Sequence, residues 1–374
     1  MARRAPPIAV RVYTFGCTHD VEDCTPPDRR HAQPDNRMPR LAVLLAAAAC
    51  ALAAQSVASS PSTTLGEQGH APTRVLAFDE LPGEPELNHM AFGPDGLLFA
   101  TSRGGFYTND GASWRFHPSI NAHDSLPSLH IDRAGRVFTA RGKEPLMAVP
   151  QADGSYRWQS LASPTLPPEE NLSWVHCIHA GEGAWFQTLG KSSRGYALWH
   201  WHEGTWRKIH ANATEPYLSG PAGVFVRNPA GRLQRLAPGT PEEIGPAPTE
   251  PIRSISSPIG DTGIWFVATA SELHRVTRAA CTVWPNEAAD YLRAHKIARI
   301  FSRPDGSLVV ATNDGAIVQL DAHGRWRGLS SAENGLPEAT FLNATFDDAD
   351  GLWNVYSNQL ARVDLAASHT VFDA

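Results

Sequence analysis

Two histidine pairs are the first residues in this chain whose types and spacing could do chemistry. His176 and His179 flank Cys177-Ile178, and His200 and His202 flank Trp201. Imidazole and thiolate are common zinc ligands, and residues two apart on a strand share a face. His200 and His202 can therefore present their rings together. His176 and His179, three apart, are expected to face opposite ways, which spoils a shared site, so neither a metal nor another cofactor is expected. Carboxylates stand in what read as loops, at Glu86, Asp124, Glu170, Glu215 and Glu338. Two of them flanking a glycosidic bond would suit hydrolysis, but nothing in their spacing pairs them. No Gly-x-Ser-x-Gly elbow, phosphate loop or dinucleotide fingerprint occurs. A third set is basic: Arg103, Arg141, Lys191, Arg194 and Arg227. Guanidinium forks grip carboxylate, sulfate or phosphate through paired hydrogen bonds.

The elements that must position these groups are strands. The chain has 374 residues with 30 Gly and 30 Pro, a density of helix breakers that excludes long helical bundles. Hydrophobic residues reach 42%, enough for a sizeable core, and the 11 Trp favour strands and repeated aromatic anchors. The net charge of −6 argues against a general grip on nucleic acid.

From residue 74 onward the chain repeats itself. Turn glycines recur at Gly96, Gly135, Gly183, Gly223, Gly263, Gly306 and Gly351, about 42 residues apart, the period of a four-stranded propeller blade. An apolar strand follows each glycine, as in Ile264-Trp265-Phe266-Val267 and Leu308-Val309-Val310. An innermost strand precedes it, clearest in Ile297-Ala298-Arg299-Ile300-Phe301. A late strand carries Trp114, Trp158, Trp206, Trp284, Trp326 or Phe372. The fold expected is an all-β, seven-bladed β-propeller of four-stranded antiparallel blades, because such sheets bury both faces only when packed radially. The one helix-like stretch, residues 286–297, is expected as an insertion with Ala288, Ala289, Leu292 and Ile297 on its packed side. Thr108-Asn109-Asp110-Gly111-Ala112-Ser113-Trp114 resembles a degenerate Asp-box, a structural hairpin turn. Val75-Leu76-Ala77-Phe78-Asp79 and Thr370-Val371-Phe372-Asp373 both look like outermost strands, and a seven-blade ring has one slot for them.

In propellers, the loops entering the innermost strands and those joining second to third strands gather at one mouth of the central channel, a concave default site. The repeat puts Asn88, Ser125, Trp174, Tyr217, Arg253, Lys296 and Asn343 in or beside the first loop set. It puts Arg103, Arg141, Lys191, Arg194, Arg227, Asn313 and Asn358 in the second, with five cations and no acid among them. Trp174 and Tyr217 could stack on a sugar or aromatic ring. An anionic ligand, such as an acidic saccharide fragment, is the expectation.

The last repeat reads Gly335-Leu336-Pro337, Phe341-Leu342, Asp348-Ala349-Asp350-Gly351-Leu352-Trp353 and Leu360-Ala361-Arg362-Val363-Asp364. Blade one carries Leu81-Pro82, Pro94-Asp95-Gly96-Leu97-Leu98 and Gly104-Gly105-Phe106-Tyr107, with Leu-Pro at the same distance before the turn glycine. These residues resemble the two-component-regulator propeller repeat of bacterial periplasmic sensors, most weakly in blades two to five. The resemblance implies a ligand-sensing module that elsewhere precedes a transmembrane helix and a histidine kinase or nucleotide cyclase.

Residues 41–54 form an uncharged apolar run behind Met38-Pro39-Arg40, too short to span a bilayer comfortably and closed by Ala51-Leu52-Ala53. This order reads as a secretory signal peptide over residues 38–54. Residues 1–37 read as a misassigned or disordered extension, 55–73 as a disordered linker, and 74–374 as the propeller, either truncated or stand-alone. After cleavage Cys177 and Cys281 remain, expected as two buried thiols. The function expected is a periplasmic or secreted, non-catalytic ligand sensor that takes a small-molecule or oligosaccharide ligand. It is expected to self-associate or to meet a membrane sensor partner, with no nucleic acid. A propeller enzyme acting on glycans (a hydrolase or a lyase) and a protein-interaction scaffold are the alternatives, since the fold alone does not choose among them.

Overall fold

A computed structural model describes residues 71–365, apart from positions 82, 84–85, 122, 124, 163–164, 167–171, 191–194, 221 and 257–261. The expected signal peptide, the expected linker up to residue 70 and the strand expected at Thr370-Val371-Phe372-Asp373 lie outside the described residues.

The chain forms seven four-stranded antiparallel sheets. A first strand, β1 (Thr73–Ala77), precedes blade 1, which is β2 (Met90–Phe92), β3 (Leu98–Ser102), β4 (Gly105–Asn109) and β5 (Trp114–Pro118). Blade 2 is β6 (His130–Ile131), β7 (Val137–Arg141), β8 (Glu144–Pro150) and β9 (Tyr156–Ser160). Blade 3 is β10 (Leu172–Gly181), β11 (Gly183–Gly190), β12 (Tyr196–His202) and β13 (Thr205–Ala213). Blade 4 is β14 (Leu218–Gly220), β15 (Gly223–Arg227), β16 (Arg232–Leu236) and β17 (Glu242–Pro246). Blade 5 is β18 (Ser254–Ile255), β19 (Trp265–Ala268), β20 (Leu273–Val276) and β21 (Cys281–Val283). Blade 6 is β22 (Ile297–Ser302), β23 (Leu308–Thr312), β24 (Ile317–Leu320) and β25 (Trp326–Ser330). Blade 7 is β26 (Phe341–Phe346), β27 (Gly351–Tyr356) and β28 (Gln359–Asp364). Its outermost slot is filled by β1, from Thr73 opposite Val363 to Ala77 opposite Gln359. The N-terminal candidate thus takes the one slot that two segments could fill.

Strand alternation explains the packing. On β3, Leu98 and Ala100 pack toward blade 7 with Val355 and Leu360, while Phe99 packs toward blade 2 with Val137 and Ala148. A wedge of this kind stands at each of the seven blade junctions. Each blade therefore buries both faces against neighbours. The outer tryptophans tie adjacent blades as well. Trp158 donates its indole N–H to Pro118 O at 2.8 Å, and Trp206 donates to Leu161 O at 2.8 Å.

Tight turns recur with a side-chain cap. Asp132 Oδ1 accepts from the backbone N–H of Ala134 and Arg136, and Asn228 Oδ1 does so from Ala230 and Arg232. The stretch resembling an Asp-box is such a hairpin: Asp110 Oδ1 accepts from Ala112 and Ser113 N–H. Six of the seven repeat glycines have positive φ. In blade 7 the left-handed position falls on Asp350 (φ 61°) instead, and a Cβ at Gly351 would displace the Arg362 guanidinium. Arg362 Nε and Trp353 Nε1 both donate to Asp347 Oδ2, at 2.7 and 3.0 Å.

The expected insertion is a helix, α1 (Ala289–His295), between blades 5 and 6, and Ala288, Leu292 and Ile297 are buried beside it. Cys177 is buried and Cys281 half-buried, and neither forms a disulfide. No helix among the described residues is long and apolar enough to cross a membrane.

The closure yields a prediction. Deleting residues 73–77 strips the outer edge of β28 and removes half-buried Val75 and Leu76. The loss expected is roughly 3 kcal/mol in urea unfolding, from two aliphatic side chains and a hydrogen-bonded ladder. Self-association through the bared edge should appear on size exclusion. An unchanged midpoint with a monomeric profile would show that β1 does not close the ring.

Candidate functional site

The two loop sets meet at one end of the ring. Arg103 bridges to Ser125, Val175 N–H reaches Gly142 O at 3.2 Å, and Asn313 donates to Lys296 O at 2.9 Å while its own carbonyl accepts from Phe341 N–H. Loops before innermost strands and loops after second strands are thus laced together around the channel mouth.

A cavity of about 420 Å³ opens there between blades 4 and 7, and three expected residues line it: Tyr217, Arg253 and Asn313. Ser219, Ser254, Arg299, Phe341 and Leu342 complete much of the wall. Arg253 and Asn313 are exposed, whereas Tyr217 is only 5% exposed. The Tyr217 hydroxyl lies 2.7 Å from His210 Nδ1, and burial raises its pKa. Tyr217 therefore offers a fixed edge to the cavity rather than a swinging ring. Asn88, Arg103 and Asn358 sit exposed on the same end, outside this cavity lining.

Other expected residues are committed elsewhere. Asn343 is buried at 4%, and its Oδ1 accepts from Met90 N–H at 3.3 Å, tying blade 7 to blade 1. The set of cations without acids is smaller than expected. Arg141 pairs with Glu144, three residues on across the β7–β8 turn. Arg227 pairs with Glu215 and donates to the carbonyls of Pro248 and Thr249 at 2.6 and 2.8 Å. Glu215 is accordingly an ion-pair partner. Lys191, Arg194, Asp124 and Glu170 lie outside the described residues. Trp174 is placed by its backbone on β10, opposite Leu189.

The sequence reading expected the channel mouth but did not single out His89, His130 or Arg299. His89 from blade 1 and His130 from blade 2 have ring centroids 5.3 Å apart, and His130 and His179 from blade 3 are 6.5 Å apart. Arg299 from blade 6 and His176 from blade 3 both act electrostatically on His89. Residues of blades 1, 2, 3 and 6 can meet in this way only at the ring axis. Burial, then Arg299, then His176 push His89 down to about 3. His130 is pushed well below the ordinary range by burial and by His89, His179 and Arg299. Burial lowers His176, His179 and Arg299. Every charge acting on His89 and His130 is basic.

The expectation that His176 and His179 face opposite ways is corrected by a β-bulge. His176 pairs with Gln187 and His179 with Trp185, so Ile178 is the extra residue and both histidines share a face. The alternating pattern gave no sign of that insertion. Arg299, central in an apolar innermost strand, was the visible signal of a polar channel.

At the opposite end of blade 3 a second cavity, of about 550 Å³, is lined by His179, Trp185, His200, His202 and Arg207 among others. The rings of His200 and His202 are near-parallel with centroids 6.0 Å apart, and His200 Nε2 lies 2.8 Å from Glu182 O. They share a face as expected. Among the described residues no group of three His, Cys, Asp or Glu side chains is arranged to hold a metal. The mouth also carries a His295–Asp314 pair, with Tyr291 stacked on His295 at 4.0 Å and Thr312 donating to Asp314 at 2.6 Å.

No family model and no curated protein sequence matches the chain. Solved structures do. The virginiamycin B lyase of Staphylococcus aureus is 12% identical with a TM-score of 0.57, over 79% of this chain and 99% of that one. The WD40 propeller domain of Doa1 is 11% identical with a TM-score of 0.53, over 79% and 97%. The extracellular domain of what is described as a hybrid two-component system from B. thetaiotaomicron is 13% identical with a TM-score of 0.55. That alignment covers 79% of this chain and 40% of the other. At these identities the likeness is one of fold, shared by a lyase, a WD40 propeller domain and an extracellular domain of a two-component system.

The channel histidines set a pH dependence. Being neutral in the fold, they contribute stability that is full above their unfolded value of 6.5 and is lost as pH falls toward about 3, where folded His89 protonates. Across that window the unfolded chain binds more protons, so stability falls with pH. Between about pH 7 and about pH 4.5 the urea midpoint should fall more steeply for wild type than for a His89→Gln, His130→Gln double variant. Equal slopes would mean that these imidazoles titrate as freely as in the unfolded chain.

Proposed function

We propose that this chain is the ligand-sensing propeller of an exported signal-transduction system, non-catalytic by itself, and that it binds an anionic small molecule or acidic oligosaccharide at the channel mouth. One observation carries the reading. Arg253 and Arg299 both line the 420 Å³ cavity, and neither side chain has a hydrogen-bond or ion-pair partner among the described residues. Arginines left unpaired around a concavity, beside the Asn313 amide and the Tyr217 edge, are the donors a carboxylate- or sulfate-bearing ligand needs. The leader-like residues 38–54 and the sensor-domain neighbour are in keeping with an exported module.

The enzyme alternative has its own observation. The His295–Asp314 pair at the same mouth is an imidazole oriented by a carboxylate, the arrangement a general base requires. It stands without a second catalytic group beside it among the hydrogen-bonded contacts, which is why binding is the preferred reading.

Calorimetry with uronic-acid oligosaccharides tests this. Arg253→Ala is expected to weaken binding about tenfold, or about 1.4 kcal/mol, with the fold intact by circular dichroism. Equal affinity in the folded variant would remove Arg253 from the site. Turnover of the oligosaccharide by wild type, abolished in His295→Ala, would establish the enzyme reading instead.

A further inference from the structure

We infer that the channel below the mouth is a proton-coupled anion site: an anionic group seated against Arg299 draws protons onto His89 and His130, so the ligand binds more tightly as pH falls. The inference rests on the mouth being the ligand site and adds how that site responds to pH.

The geometry comes first. Arg299 lines the mouth cavity and also acts on both His89 and His130, so it joins the cavity to the imidazole row. That row runs His89, His130, His179 across three adjacent blades, at 5.3 and 6.5 Å between centroids. His89 Nδ1 is enclosed and has no hydrogen-bond partner. The Arg299 Cζ stands 5.7 Å from the centroid of the Phe301 ring. Arg299 is half-buried on the cavity wall, where its guanidinium is open to an anion that enters from the mouth.

The charge inventory points the same way. Blade 1 contributes His89, blade 2 His130, blade 3 His176 and His179, blade 6 Arg299, and Arg253 of blade 5 stands at the mouth. Blades 4 and 7 bring Tyr217, Ser219, Phe341 and Leu342, with no acid. Burial is the main cause that holds the two imidazoles neutral, with Arg299 adding to it; an anion against Arg299 offsets that added charge and brings a negative charge that favours their protonated forms. The proton comes from the solvent, and the protonated ring gives the anion a second charged donor. By linkage, anion binding and protonation then favour each other by the same factor.

Sulfate is the probe, because it keeps its charge across the range and any pH dependence belongs to the protein. Calorimetry in two buffers of different ionisation enthalpy should show uptake of about one proton per sulfate near pH 6. The sulfate Kd should tighten about tenfold between pH 7.5 and 5.5. In proton NMR of the wild-type protein, sulfate should move two histidine ring titrations upward, a readout that needs no variant. Arg299→Met should abolish sulfate binding, and His89→Gln with His130→Gln should flatten its pH dependence. Sulfate affinity independent of pH with no proton uptake would overturn the coupling. Absence of sulfate binding alongside Arg253-dependent binding of the acidic oligosaccharide would overturn the channel site while leaving the mouth as a ligand site. If neither probe binds, both readings fall.

Discussion

The fold depends on the pairing of β1 with β28. A propeller blade is a sheet with two apolar faces, and it has no stable state alone. Here each junction holds a wedge such as Phe225, Leu233, Trp265 and Val267 between blades 4 and 5. Six such junctions follow from chain connectivity, since consecutive blades are sequence neighbours. The seventh, between blades 7 and 1, joins the two ends of the described chain. The antiparallel ladder from Thr73 to Ala77 fixes the segment leading into blade 1 onto the edge of blade 7. With that ladder in place, Leu76 packs against the wedge that holds Leu98 and Leu360. Without it, two blade faces would meet water together.

The same ring geometry poses a problem at the axis, and its solution determines which groups are left for binding. An innermost strand has a partner on one side only, so its inner edge carries unpaired backbone groups. Neighbouring blades satisfy several of these by side chain. Asn343 accepts from Met90 N–H, Ser128 donates to Cys177 O, Gln187 accepts from Tyr217 N–H, and Ser254 Oγ accepts from Ile300 N–H. These polar residues are buried and busy, so they are ring ties. What remains uncommitted around the axis is basic: His89, His130 and Arg299. These are the groups left over among the described residues after the fold has met its own hydrogen-bonding demands.

This division explains which features could be read in the sequence. The blade period, the seven turns and the outermost-strand character of the segment that becomes β1 are local or repetitive, and they were legible. The strand after Gly306 reads Leu308-Val309-Val310 because both its faces are buried. The side of the ring on which loops gather was also legible, because it follows from strand alternation alone. Pairing was not. Glu144 and Glu215 neutralise Arg141 and Arg227 through turn and loop geometry that residue type does not encode. The shared face of His176 and His179 depends on one bulged residue, Ile178, in a strand that reads as regular. The influence of Arg299 on His89 depends on five blade steps of rotation about an axis, and no periodicity along the chain marks it.

The contrast between near-sevenfold architecture and one-sided chemistry is the last step. If the inner strands served only to close the ring, equivalent positions could all be small or apolar. Instead the imidazoles cluster on blades 1 to 3 and the arginines on blades 5 and 6. Blade 3 adds the longest innermost strand, the ten-residue β10, and with its bulge delivers two histidines to the channel. Burying these bases lowers the stability of the folded state whenever they carry charge. A closed ring of hydrophobic wedges has no structural need for such an arrangement. The anion proposed above would enter from the mouth, where Arg253 and Asn313 stand, and would supply the negative charge that this cluster of bases lacks.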